Sequence, residues 1–260
     1  MIPFKIVIPA RYASTRLPGK PLQKLNGTPL IEHVYNAASK TQASEIIVAT
    51  DNTEILNTVT NFGGKAVMTK PDHPSGTDRI NEVATILKWD SSTIVVNLQG
   101  DEPLVKTDNI HSLVDLLETN HSADMATLAV KFKSIDDVVN PNNVKVVMDN
   151  DNFALYFSRA PIPWVRDSFD LNILTNPNAN TPDTHFYSHI GLYAYRVKTL
   201  QQFAKLPPSP LEIAESLEQL RILSNGMKII VKISSDSVAH GVDTAEDLLA
   251  VEKILHEQDR

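Results

Sequence analysis

The chain has 260 residues, 42% of them hydrophobic and 21% charged, with a formal net charge of -7 and no cysteine. That length and balance suit a soluble globular protein with a full core, and the acidity argues against broad nucleic-acid binding. The missing thiols exclude a disulfide framework, a thiolate nucleophile and a cysteine-bound zinc.

The opening MIPFKIVIPA is charged too early for a signal peptide, and no apolar run approaches the roughly 20 residues of a membrane span. A cytoplasmic protein with no membrane partner is expected. KIVIPA reads as a first strand, PLIEHVYNAASK as a helix with Leu30, Val34 and Ala37 or Ala38 at helical spacing, and EIIVATD as a second strand. NTEILNTVTNF (helix), KAVMT (strand), TDRINEVATILKW (helix), TIVVNLQGDEPL (strand with an acidic end) and NIHSLVDLLETN (helix) continue the alternation. Continuous apolar strands between helices predict a doubly wound, mostly parallel α/β sheet covered on both faces.

The second half breaks the rhythm. DMATLAVKF, NVKVVMD and FALYFSR read as successive strands, the last two joined by a DNDN hairpin turn, and TNPNANTPDT reads as a surface loop. HIGLYAYR is a further strand, SPLEIAESLEQLRILSN a single long helix, KIIVKIS a strand and TAEDLLAVEKILHEQ a terminal helix. One α/β domain over 1–260 is expected, with a β-rich subregion at about 135–195 inserted for a second substrate or a dimer contact.

One stretch stands out. PARYASTRLPGKPL (residues 9–22) follows the first strand and carries Arg11, Arg16 and Lys20, with Lys24 just beyond, while no acid occurs before Glu32. In parallel sheets ligands bind where loops leave the carboxyl ends of strands. Ser14, Thr15 and Gly19 allow backbone amides to approach a phosphate, and the cations supply charge. The loop therefore suits a triphosphate whose charge would pair with cations that lack acidic neighbours in sequence. Neither G-x-x-x-x-G-K-[ST] nor G-x-G-x-x-G occurs, so this is neither a P-loop nor a dinucleotide fingerprint.

PARYASTRLPGKPL resembles the signature loop of the sugar nucleotidyltransferases that activate acidic sugars with CTP. HPSGTDR, NLQGDEPL, YFSRAPIPW, SPLEIAESLEQLR and HGVDTAEDL are similar, in the same order along almost the whole chain, to the branch acting on 3-deoxy-D-manno-octulosonate (Kdo). The resemblance implies attack of the Kdo anomeric hydroxyl on the α-phosphate of CTP, assisted by Mg²⁺, giving CMP-Kdo and pyrophosphate for lipopolysaccharide synthesis. It also implies a homodimer. Arg11, Arg16, Lys20 and Asp101 are then the catalytic candidates, and Pro9, Ala10, Ser14, Ser75 and Gly76 join them around the nucleotide.

Two acids carry the expected metal. Asp101 leaves a central strand at the ligand edge, as a Mg²⁺ ligand does. By spacing, Asp243 reads as the N-cap of the last helix with Glu246 completing a capping box; the resemblance makes it the second metal ligand. Ser75 or Thr77 likewise reads as a helix cap, and the resemblance assigns their loop to cytosine.

For the sugar, the resemblance brings in Gln99, Arg159, His189, Tyr193, Glu218 and Gln219. A guanidinium at Arg159 would bind the carboxylate bidentately. His189 and Tyr193, four apart on one strand, share a face, and Glu212, Glu215 and Gln219 share a polar helix face with Glu218 beside them. His185 and His189 lack the further ligands of a zinc site. No histidine or cysteine is placed as an obvious general base, so metal-assisted deprotonation is expected.

Overall fold

The computed structural model describes residues 2–13, 17–166, 186–234 and 241–258. Strand β1 (Phe4–Ala10) leads through a 3-10 turn (Lys20–Leu22) to a small hairpin, β2 (Lys24–Leu25) and β3 (Thr28–Pro29). Then come α1 (Leu30–Ser39), β4 (Glu45–Thr50), α2 (Thr53–Asn61), β5 (Ala66–Met68), α3 (Gly76–Ile86), β6 (Ile94–Asn97) and α4 (Thr107–Thr119). The second half holds β7 (Met125–Lys131), α5 (Ile135–Val139), β8 (Lys145–Met148), β9 (Ala154–Ser158), β10 (Tyr187–Arg196) and α6 (Val197–Phe203). It closes with α7 (Pro210–Glu215), α8 (Gln219–Ser224), β11 (Ile229–Ser234) and α9 (Ala245–Gln258).

The main sheet runs β11-β7-β10-β6-β1-β4-β5. Its pairs are parallel except at β10, which is antiparallel to both β6 and β7. Alternate residues of one strand feed two cores. Phe4, Ile6, Ile8 and Ala10 of β1 pack on the α1, α4 and α9 side, whereas Val7 packs with α3 and α6 residues on the other. This two-sided burial is why the strands read as unbroken apolar runs.

Two sequence-based boundaries shift. β8 and β9 form the expected hairpin lying off the main strand path. Yet β10, at the end of the same β-rich stretch, is a central strand, with Leu192 and Ala194 on one face and Tyr193 and Tyr195 on the other. An apolar pattern does not distinguish the two placements. The expected long helix from Ser209 is two helices. Ser209 caps α7 with a complete capping box to Glu212, but Ser216 turns left-handed at φ 52 and ends the helix.

Candidate active site

Because β1, β4 and β6 are parallel, their carboxyl ends share one edge of the sheet, and the loops after them converge there. Gly19, at φ 62, opens the 3-10 turn with its N–H on the Tyr12 carbonyl (3.2 Å), and an added Cβ would stand 3.5 Å from the Tyr12 ring. A side chain at that left-handed position is disfavoured. The turn aims Lys20 at two acids far away in sequence: Nζ lies 2.6 Å from Asp101 Oδ2 and 3.0 Å from Asp243 Oδ1. Lys20 is therefore not without counter-charge, as its sequence neighbours alone would suggest. Burial pulls its pKa down, but the two carboxylates outweigh that and leave it raised.

Asp243 is not the cap of α9. The reciprocal box is one residue on: Asp247 N–H donates to Thr244 Oγ1 (3.2 Å) and Thr244 N–H to Asp247 Oδ2 (2.9 Å). Asp243 thereby keeps its carboxylate for Lys20. The preceding segment docks on the β6 loop through Val242 N–H to the Asp101 carbonyl (2.8 Å). Gly241 lies so close that an added Cβ would stand 3.2 Å from that carbonyl oxygen.

The nucleotide candidates gather at the same edge. A Cβ on Gly100 would sit 2.8 Å from the Pro9 carbonyl and 3.8 Å from Ala10, and one on Gly76 would sit 3.8 Å from the Pro9 ring. Only glycine at 100 lets the Gln99–Asp101 segment cross β1 so closely. Arg11 donates to the His73 carbonyl (2.7 Å), tying the basic loop to the turn before α3. Its pKa is lowered by burial first and by Arg79 second. Arg79 is buried, donating to Asp51 (2.8 Å) and Thr69 (2.5 Å). Ser75 is indeed the N-cap of α3: its Oγ accepts from Asp78 N–H at 3.1 Å. Ser14 and Arg16 lie outside the described residues, as does His185.

Beside this edge opens a cavity of about 990 Å³, whose lining includes Glu102, His189, Gly191, Tyr193, Gln219 and Gly241. Three of the expected sugar residues are thus brought together. Between Ile190 and Tyr193 the β10 strand carries a bulge, with Gly191 and Leu192 unpaired against β7. Two extra residues preserve the alternation, so His189 and Tyr193 stay on one face, ring centroids 5.4 Å apart. His189 Nε2 meets Thr127 Oγ1 at 3.0 Å, and burial lowers its pKa to about 3, so it is neutral and a poor base.

Other expectations change. The Arg159 guanidinium is engaged with backbone carbonyls, Nε to Glu215 (2.7 Å) and Nη1 to Pro141 (3.0 Å). It does not stand open in the cavity wall. The shared polar face of Glu212, Glu215 and Gln219 is lost at Ser216. Glu212 pairs with Arg221 in a short two-pronged contact, Glu215 accepts from Ser158 (2.6 Å) and Arg159 N–H (2.9 Å), and Glu218 turns toward α3. Burial pushes the Glu218 carboxyl up while Thr77 and Ser75 donors hold it back.

Glu102 was not singled out by sequence reasoning, although it follows Asp101 directly. Its Oε2 is sealed from solvent without a hydrogen-bond partner among the described residues, as is Nε2 of Gln219. Burial, then the charge of Asp101, pushes its pKa up to about 8.

Among the described residues no group of three or more His, Cys, Asp or Glu side chains is arranged to hold a metal. Asp101 and Asp243 do converge on one nitrogen, so their oxygens can reach a common hard cation. Two carboxylates are what Mg²⁺ takes when a triphosphate completes its shell. The donor set fits.

A basic loop at the parallel edge, a lysine between two carboxylates and an adjoining cavity are what a nucleotidyltransferase requires. The cytidylyltransferase family model matches residues 5–229. Relatives called 3-deoxy-manno-octulosonate cytidylyltransferase include one from Thioalkalivibrio sulfidiphilus, 48% identical over 97% of this chain and 98% of its own. One from Thermodesulfovibrio yellowstonii is 49% identical over 96% and 97%. A solved CMP:2-keto-3-deoxy-manno-octonic acid synthetase complexed with CTP superposes with a TM-score of 0.88 at 39% identity, covering 99% of this chain and 100% of that one. This chain belongs to the 3-deoxy-manno-octulosonate cytidylyltransferases.

Proposed function

We propose that the protein transfers the cytidylyl group of CTP to the anomeric hydroxyl of Kdo, forming the sugar-oxygen bond to the α-phosphorus and releasing pyrophosphate. The observation that carries this reading is Lys20 held between Asp101 and Asp243, whose chain neighbours Glu102 and Gly241 line the cavity. Such a displacement needs charge neutralisation and alignment more than covalent help. When bound by Asp101 and Asp243 with the triphosphate, Mg²⁺ would reduce the charge at the α-phosphate and lower the pKa of the attacking hydroxyl. Lys20 then exchanges its carboxylate partners for phosphate oxygens and stays beside the bond that breaks. Arg11 and Arg16 neutralise the remaining phosphate charge with Ser14, while Pro9, Ala10, Ser75 and Gly76 form the bed for the base.

The sugar occupies the cavity. Neutral His189, Tyr193 and Gln219 hydrogen-bond its hydroxyls, with Gln99 and Glu218 at the borders, and no side chain acts as general base. Arg159 contributes by shaping the wall. Large apolar side chains exposed on β9 and α7, Leu155 and Ile213, support a homodimer. No helix among the described residues is long and apolar enough to cross a membrane, and supply of an activated sugar for lipopolysaccharide would place the protein in the cytoplasm.

Pyrophosphate release from purified protein with Mg²⁺, CTP and Kdo tests the reading, with UTP, N-acetylneuraminate and EDTA run alongside. Release requiring CTP and Kdo together supports it. Release only with another acidic sugar overturns the sugar assignment, and silence with every pair in folded protein overturns the reaction.

A further inference from the structure

Lys145 opens β8 with its side chain completely buried. Its ammonium donates to three backbone carbonyls: Asn140 at 3.0 Å, Asn143 at 2.6 Å and Arg159 at 2.6 Å. All three N–H groups are used. Arg159 adds a second cation on the same turn through Nη1 to the Pro141 carbonyl. Carbonyls 140, 141 and 143 therefore face inward onto two positive charges, and Glu215 closes the group through the Arg159 N–H.

The turn is one its sequence favours. In NPNN, Pro141 sits at the second position, Asn143 N–H reaches the Asn140 carbonyl (3.1 Å), and Asn140 Oδ1 accepts from Asn142 N–H (2.9 Å). Such a turn closes without any lysine beneath it. Burying an ammonium is costly, and an apolar side chain would fill the space at lower cost. What the ammonium adds is a fixed position for the turn relative to β9.

That position matters for the cavity. Asn142, Asn143 and Val144 line it, and the Val144 carbonyl accepts from His189 N–H at 2.8 Å. The same staple thus fixes both the turn and the strand that presents His189. We propose that Lys145 is a positioning residue for the sugar: with Arg159 it sets the cavity wall formed by residues 140–144, and so governs sugar binding without acting on the nucleotide. This rests on the Kdo-transferase reading.

The test is K145M and K145Q, assayed with each substrate varied, together with hydrogen exchange at the amides of residues 140 and 142–144. K145Q keeps two of the three donors and serves if K145M does not fold. Expected in the folded variant is a KM for Kdo raised about tenfold or more, with the KM for CTP and kcat at saturating Kdo within twofold, and faster exchange confined to that turn. The chain has no cysteine, so K145C can be aminoethylated while unfolded and refolded, and restoring the ammonium should restore the sugar KM. An unchanged KM for Kdo, or equal rises for both substrates, overturns the inference. Wild-type protein inactive with Kdo overturns instead the reading on which it rests.

Discussion

Replacing Lys20 by alanine separates stability from chemistry. In the free protein the lysine makes two ion pairs, with side chains 16% exposed for Lys20, 26% for Asp101 and 42% for Asp243. Pairs this accessible contribute about 0–1 kcal/mol each. Their loss also leaves two carboxylates facing each other, so K20A should cost about 1 kcal/mol, or about 3 °C in Tm for a chain of this size. Removing a charged donor placed where charge develops costs far more, about 100- to 1,000-fold in kcat. The same change removes the cation held between the two acids, so Mg²⁺ without nucleotide should raise the Tm of K20A more than that of wild type. Pyrophosphate release at saturating CTP and Kdo reads the first effect, and thermal melts with and without Mg²⁺ read the second. Turnover within threefold of wild type in folded K20A would refute the role given to the lysine. An identical Mg²⁺ response would refute its place between the two acids.

Other consequences follow from neighbouring residues. D243N should abolish most activity while leaving Tm nearly unchanged, whereas T244A should lose about 1 kcal/mol of helix capping and keep the activity; melts and rates on both variants check the reversal. G100A forces a Cβ toward the Pro9 carbonyl, which should destabilise the protein by about 1–3 kcal/mol and raise the KM for CTP, and a normal Tm would show that the crossing is looser than described. Glu102 holds its proton to about pH 8 when folded against an ordinary 4.5. Its contribution to stability is therefore full below pH 4.5 and is lost as pH rises toward 8. The Tm of E102Q relative to wild type should accordingly be higher at pH 8 than at pH 5, and parallel pH curves would contradict this.

The sequence alone was enough for the α/β alternation, because two-sided burial writes itself as apolar strands between amphipathic helices. It also marked the loop after the first strand, where three cations surround Ser, Thr and Gly, as the place to look for an anion. Tertiary structure decided everything that depended on distance along the chain. Nothing local tells Lys20 that its partners lie 81 and 223 residues away, or that β10 enters the middle of the sheet. The break at Ser216 turns on a single left-handed residue, which helix periodicity does not register. Thr244 and Asp243 offer equally good caps by composition, and only the docking of 241–243 on Asp101 selects Thr244 and leaves Asp243 to the site. Arg159 was legible as a cation suited to a carboxylate, but its engagement with two carbonyls depends on a turn and a helix end that meet only after folding.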